Sequence, residues 1–282
     1  MYRTLIDAAA LQGLIQSGAS LALFDCRNDL LDPAFGATQY AAGHIPCAVH
    51  AHLDHDLSGP KTGQNGRHPL PDRAAFAAWL AAKGVGPGTQ VIAYDAQGGM
   101  YAARLWWMCR WVGIETVALL DGGLPAWQQA GGALTADTAA PTPATLPLRE
   151  PLVSLVTAND VLNNLQTPLF TVLDARAPER FRGEVEPIDP VAGHIPGAMN
   201  RFFKDNLTAD GRFKPAEQLQ EEFAGLLAHA EPEGLVMSCG SGATACHNIL
   251  ALEIAGGPTA PMYAGSWSEW CSDPARPVAK GA

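Results

Sequence analysis

No run of about 18 or more apolar residues occurs anywhere in the 282-residue chain, so a membrane-spanning helix is not expected. The first twenty residues show no long apolar core and no secretory cleavage pattern, which predicts no secretory leader. No C-x-x-C pair is present either. The six cysteines (Cys26, Cys47, Cys109, Cys239, Cys246 and Cys271) are scattered, which speaks against a zinc site or a disulfide frame. They read as separate reduced thiols of a cytoplasmic protein. Charge is also sparse, at 16% of residues, and its balance is acidic. The halves on either side of residue 150 carry nine basic against twelve acidic residues and nine against sixteen. Neither is a basic body, so a nucleic-acid partner is not expected. An anionic small molecule would need locally placed arginines. What the chain does have is apolar material, at 48%. That excludes a disordered or fibrous protein and lets each half bury its own core.

The chain repeats itself once. LFDCR at Leu23–Arg27 matches VLDAR at Val172–Arg176, and AGHIP occurs at both Ala42–Pro46 and Ala192–Pro196. VIAYD at Val91–Asp95 matches LVMSC at Leu235–Cys239, and LDGGLPAW at Leu120–Trp127 matches YAGSWSEW at Tyr263–Trp270. The offsets are 149, 150, 144 and 143 residues, in the same order. A pair of tandem domains accounts for this, and a solenoid does not. The Pro-, Thr- and Ala-rich stretch Asp137–Arg149 lacks periodicity and reads as a connector. The expected division is therefore residues 1–136, a linker at 137–150, and residues 151–282. Within each copy, short apolar runs such as LALFD, VIAYD and LFTVLD alternate with helix patterns at Pro71–Lys83 and Pro215–His229. Thr157 is placed to cap a further helix. This alternation predicts an α/β fold, with a mostly parallel central sheet flanked by helices in each copy.

Functional loops of such sheets lie beyond the carboxyl ends of the strands. There the run Leu235–Ser238 leads into Cys239-Gly240-Ser241-Gly242-Ala243-Thr244 and then a helix pattern. A cysteine in a glycine-rich loop at a helix N-terminus faces backbone N–H groups and the positive end of the dipole. Both favour the nucleophilic thiolate. Free cysteines are ordinarily small buried hydrophobes, and the other five read that way. Cysteine-dependent phosphoryl transfer also uses such a loop, but needs an arginine in C-x5-R to clamp phosphate. That position holds Ala245, which speaks against it.

Together, Asp25-Cys26-Arg27, Gly43-His44-Ile45-Pro46, Asp174-Ala175-Arg176, Gly193-His194-Ile195-Pro196-Gly197-Ala198 and the Cys239–Thr244 loop resemble the tandem-domain rhodanese-family sulfurtransferases over nearly the whole chain. The resemblance implies a catalytic C-terminal domain with Cys239 as persulfide-forming nucleophile and no metal or organic cofactor. It also implies a silent N-terminal copy, because Asp95 stands where Cys239 stands. The partners would be a small anionic sulfur donor and an acceptor such as cyanide, a small thiol or a thioredoxin-like protein. Thiosulfate enzymes of the family tend to carry basic residues after the cysteine, whereas mercaptopyruvate enzymes tend to read Cys-Gly-Ser-Gly, as here.

The resemblance places Arg180 on the donor carboxylate, with Arg182 beside it. Either could instead pair with Glu179 or Glu184. It also points to a relay of Ser241, His68 and Asp56, with Asp54 as a rival for the last place. One departure stands out: Glu186-Pro187-Ile188-Asp189-Pro190 occupies the place of a further arginine, which keeps thiosulfate open as the donor. A non-enzymatic persulfide carrier or binding module is the alternative of another class, and the intact thiol loop speaks against it. His44 and His194, in equivalent turns of both copies, read as structural, and Trp106, Trp107 and Trp111 as core or interface residues.

Overall fold

The structure, a computed structural model, describes residues 1–231 and 233–281. Two compact units emerge. One comprises residues 1–59, 71–152 and 209–213, and the other residues 60–70, 153–208 and 214–282.

In the first unit, five strands, β1 (Leu5–Ile6), β2 (Leu21–Asp25), β3 (Ala48–His50), β4 (Gln90–Tyr94) and β5 (Val117–Leu120), form one sheet in the order β1-β5-β4-β2-β3. In the second, β6 (Leu155–Val156), β7 (Thr171–Asp174), β8 (Met199–Asn200), β9 (Leu235–Ser238) and β10 (Met262–Tyr263) repeat that arrangement as β6-β10-β9-β7-β8. Every pairing in both sheets is parallel. A parallel sheet is covered on both faces, so its central strands are continuous apolar runs without alternation. Accordingly all five residues of β4 and all four of β9 are buried.

The cores repeat as well as the sheets. Trp127 and Trp270, which are equivalent by sequence, are both buried, and each donates its indole N–H to a carbonyl, of Ala133 at 2.9 Å and of Pro277 at 2.8 Å. Trp106, Trp107 and Trp111 are buried too.

The helices start where the chain supplies caps. Asp72 accepts from the Ala75 N–H at 2.9 Å, so the helix expected from Pro71 begins at Arg73 and runs to Ala82. Thr157 and Asp160 form a reciprocal capping box at the head of Ala158–Asn164. The helix after the glycine-rich loop runs Thr244–Ile254. The stretch 137–150 holds neither helix nor strand and lies along the first unit. There the Ala144 N–H donates to the Ala81 carbonyl at 2.8 Å, and Arg73 Nη2 to that of Arg149 at 2.7 Å. None of the described helices is long and apolar enough to cross a membrane.

The two D-x-R motifs build the same brace in both copies. Arg27 grips Asp25 through its Nε and Nη2 and donates to the Gly43 carbonyl at 2.8 Å. Arg176 grips Asp174 in the same way and donates to the Gly193 carbonyl at 2.8 Å. Each motif thus ties a strand end to the following GHIP turn. His44 and His194 complete those turns: each hydrogen-bonds through Nδ1 at 2.8 Å, to the Tyr40 and Phe181 carbonyls, and stacks on the same residue's ring. This is the structural role expected of them.

Candidate active site

Cys239 follows the last residue of β9 and is almost wholly buried, at 2% exposure. Its Sγ accepts the N–H of Gly242 at 3.1 Å and that of Ser241 at 3.4 Å. The turn that aims these donors inward needs a left-handed residue, and Gly242 supplies it with φ of 78°. The loop then enters the helix at Thr244, with Ala243 and Thr244 buried, so the positive end of an eleven-residue helix faces the sulfur. The outer side of the loop is pinned by backbone bonds from Trp267 N–H to the Cys239 carbonyl and from Ser268 N–H to that of Gly240, both 2.9 Å.

The first copy provides an internal control. Asp95 follows β4 as Cys239 follows β9. Its Oδ1 accepts from the N–H groups of Gln97 (2.8 Å) and Gly99 (2.9 Å), and its Oδ2 from those of Tyr101 (2.9 Å) and Ala102 (3.0 Å). The same strand–loop–helix turn therefore receives an anion in one copy and a sulfur in the other, as backbone N–H groups at a helix N-terminus favour.

Ser266 was not apparent from the sequence. Its Oγ accepts the Cys239 N–H at 3.1 Å and lies 3.9 Å from the sulfur and 3.0 Å from the Tyr263 carbonyl. The residue is held at φ of 54°, a left-handed conformation unfavourable for serine. Its counterpart in the first copy is Gly123, at φ of 57°, where a side chain would strike the Asp95 carbonyl. Aligning the copies could have found it: a serine kept where the backbone asks for glycine is a signal.

His68 is buried, and its Nδ1 shares a 2.7 Å hydrogen bond with Ser241 Oγ. The segment 60–70 that carries it belongs to the second unit although it precedes the connector. Asp56 lies in the first unit, where its Oδ2 accepts the His52 N–H at 2.7 Å.

Three arginine side chains surround Gly240, two of them with guanidinium nitrogens toward it. A β-carbon built there would stand 3.1 Å from Arg67 Nη2, 3.6 Å from Arg180 Nη1 and 3.8 Å from Arg176 Cδ. Three buried carboxylates oppose them. Arg176 pairs with Asp174 at 2.7 Å and Glu186 at 3.4 Å, and lies over the Trp267 ring. Burial works against its charge, but Asp174 and then Glu186 overcome this, and its pKa lies above the ordinary arginine value. Arg180 pairs with Glu186 at 2.6 Å and Asp189 at 3.2 Å, and Arg67 with Asp189. Burial lifts the Asp189 carboxyl above the usual carboxylate range. Arg67 opposes that rise and Glu186 adds to it.

The residues Glu186–Pro190, read as a missing cation, thus hold the carboxylates that order the arginines present. Arg182 is not brought into this group: its guanidinium forms an exposed pair with Glu184 through bonds of 2.7 and 2.9 Å.

With this geometry in hand, comparison with known proteins is direct. The rhodanese-like domain model matches residues 7–130 and again 157–273. A probable 3-mercaptopyruvate sulfurtransferase of Pseudomonas aeruginosa is 51% identical over 267 residues, covering 94% of each chain. A putative thiosulfate sulfurtransferase of Mycobacterium tuberculosis is 39% identical over 282 residues, covering 99% of this chain and 98% of the relative. Among solved structures, the 3-mercaptopyruvate sulfurtransferase from Leishmania major superposes with a TM-score of 0.83 at 29% identity, covering 95% of this chain and 74% of that one. The repeated fold, the duplicated motifs and these matches lead to one conclusion: the chain belongs to the rhodanese-like family, as two tandem copies of its domain.

Proposed function

We propose that the protein is a sulfurtransferase that passes sulfur through a persulfide on Cys239, with 3-mercaptopyruvate as its donor. The observation that carries this reading is the cradle of Ser241 and Gly242 N–H groups on Sγ, which stays in place to hold the sulfur anion re-formed at each turnover.

The thiolate attacks the donor's sulfur. An S–S bond forms as the C–S bond breaks, and the electron pair of the broken bond goes to the methylene carbon as pyruvate enolate. One proton delivered to that carbon completes pyruvate. The bond between His68 and Ser241 supports a route for it through the serine hydroxyl, and Asp56 is the proposed third member of the relay. In the second half-reaction a small thiol, cyanide or a thioredoxin-like thiol attacks the outer sulfur. The S–S bond breaks and its electrons return to Cys239. Arg180 is the proposed reader of the donor carboxylate, and the Gly240–Thr244 loop lies against the transferred sulfur. The N-terminal copy is silent in this scheme, because Asp95 cannot carry sulfur. Six free cysteines and the lack of any membrane-crossing helix among the described residues support a cytoplasmic setting.

A second reading, with thiosulfate as donor and sulfite as leaving group, draws support from the two guanidiniums, of Arg67 and Arg180, near Gly240. The opposing carboxylates favour the donor of lower charge near the sulfur. Mass spectrometry after donor treatment tests the scheme: one added sulfur, about 32 Da, is expected on Cys239 and none after Cys239→Ser. Unimpaired transfer by Cys239→Ser would sink the mechanism, and the ratio of kcat/KM for the two donors decides between them.

A further inference from the structure

We infer that Ser268 is a positioning residue of this site: it clamps the arm that carries His68 and the loop that carries Ser241 to one point, and so sets the hydrogen bond between them. The inference rests on the sulfurtransferase reading above, with 3-mercaptopyruvate as donor, and names what holds its proton relay in place.

His68 and Ser241 lie 173 residues apart in the chain yet meet at 2.7 Å, and Ser268 faces the backbone beside each of them. Its N–H donates to the Gly240 carbonyl at 2.9 Å, one residue before Ser241. Its Oγ accepts the Arg67 N–H at 2.9 Å, one residue before His68. The hydroxyl's own proton goes to the Gly265 carbonyl at 3.2 Å, which leaves a lone pair for Arg67. Gly66 brings the arm close to the same spot. Its φ is 84°, and a β-carbon there would stand 2.9 Å from the Gly265 carbonyl and 3.3 Å from Ser268 Oγ. The ion pair of Arg67 with Asp189 holds only the end of a long side chain, whereas Ser268 holds the backbone that leads into the imidazole.

The first copy shows which of these bonds the fold itself needs. Tyr263–Trp270 matches Leu120–Trp127, so Trp267 corresponds to Leu124 and Ser268 to Pro125. The Leu124 N–H donates to the Asp95 carbonyl at 2.8 Å, as the Trp267 N–H does to that of Cys239 at 2.9 Å. That bond is common to both copies and belongs to the turn. Pro125 has neither N–H nor hydroxyl, so it can form neither of the two Ser268 bonds. The first copy thus folds its loop without the clamp. The clamp occurs only in the copy that holds the thiol and the histidine, which ties it to the chemistry and not to the turn.

The test is a double-mutant cycle on the full chain, with 3-mercaptopyruvate and dithiothreitol as substrates. Ser268→Ala removes the acceptor for Arg67 but keeps the N–H for Gly240. It should lower kcat about tenfold, the scale of a sub-ångström misplacement, with KM little changed. In a His68→Asn background the same substitution should lower kcat less than about twofold, because the relay it positions is already gone. Gly66→Ala, which pushes the arm off the Gly265 carbonyl, should repeat both results. Ser268→Thr, which keeps the hydroxyl, should retain most of the wild-type rate. An unchanged kcat in Ser268→Ala, or a loss that simply multiplies with that of His68→Asn, would overturn the inference. Should Ser268→Ala fail to fold, Gly66→Ala with and without His68→Asn decides by the same criteria. A wild-type protein that takes sulfur from thiosulfate alone, or from no donor, would instead bring down the donor reading, and this inference with it.

Discussion

At Asp95 a fully buried carboxylate accepts four backbone N–H bonds, so the residue supports the first copy even though it cannot carry sulfur. Asn at this position turns an NH2 group toward two of those donors. Asp95→Asn should therefore destabilise the protein by about 2–3 kcal/mol in urea unfolding, while donor treatment still adds sulfur at Cys239. At Ser266 the hydroxyl is the acceptor for the Cys239 N–H. Ser266→Ala orphans that buried group and should cost about 1–3 kcal/mol, read from the same unfolding curves. His68 bears on the donor: if it supplies the enolate's proton, His68→Asn should lower kcat with 3-mercaptopyruvate about a hundredfold and affect thiosulfate much less. Equal losses with both donors would count against the relay. Cys239, Ser241 and His68 were legible from spacing and resemblance. Arg67 was not, although it is the next residue to His68, because a lone arginine in a loop carries no pattern until the fold shows what it faces.

Among the elements, those with long apolar runs could be read directly: β2, β4, β7 and β9 coincide with runs marked in the sequence. The edge strands β1 and β6 are two residues each, too short for any periodicity, and exist because a neighbouring strand supplies the ladder. Caps were partly legible. The Thr157 hydroxyl and then its backbone N–H hold the Asp160 carboxyl below the usual carboxylate range. A lowered pKa in the folded state means that this capping box contributes fully above the unfolded value of about 4 and loses its contribution as pH falls through the lower, folded value. Thr157→Ala should cost about 1 kcal/mol at neutral pH, and its deficit should shrink in acid. A deficit that stays constant down to the acid transition would show that the hydroxyl acts without the carboxyl.

On the scale of the whole molecule, duplication was the most readable property, because four motif pairs kept their order and their spacing. What chain order hid was the exchange of segments: residues 60–70 group with the second unit and residues 209–213 with the first. A cut at the connector would therefore separate His68 from Ser241, its hydrogen-bond partner. Cysteine reactivity also belongs to this scale. Burial pushes the Cys109 thiol well above its ordinary value, and burial followed by the Asp95 and Asp25 charges does the same for Cys26. Cys47, by contrast, is exposed. Iodoacetamide at neutral pH should label Cys47 in the native protein and reach Cys26 and Cys109 only after denaturation, as peptide mapping would show. The Asp95 loop has a further consequence for counting. Each chain holds two anion cradles, but one has an occupant covalently tethered to it that never dissociates. Saturating donor should therefore titrate to an endpoint of one sulfur per chain, and burst stoichiometry in this protein counts molecules and not domains.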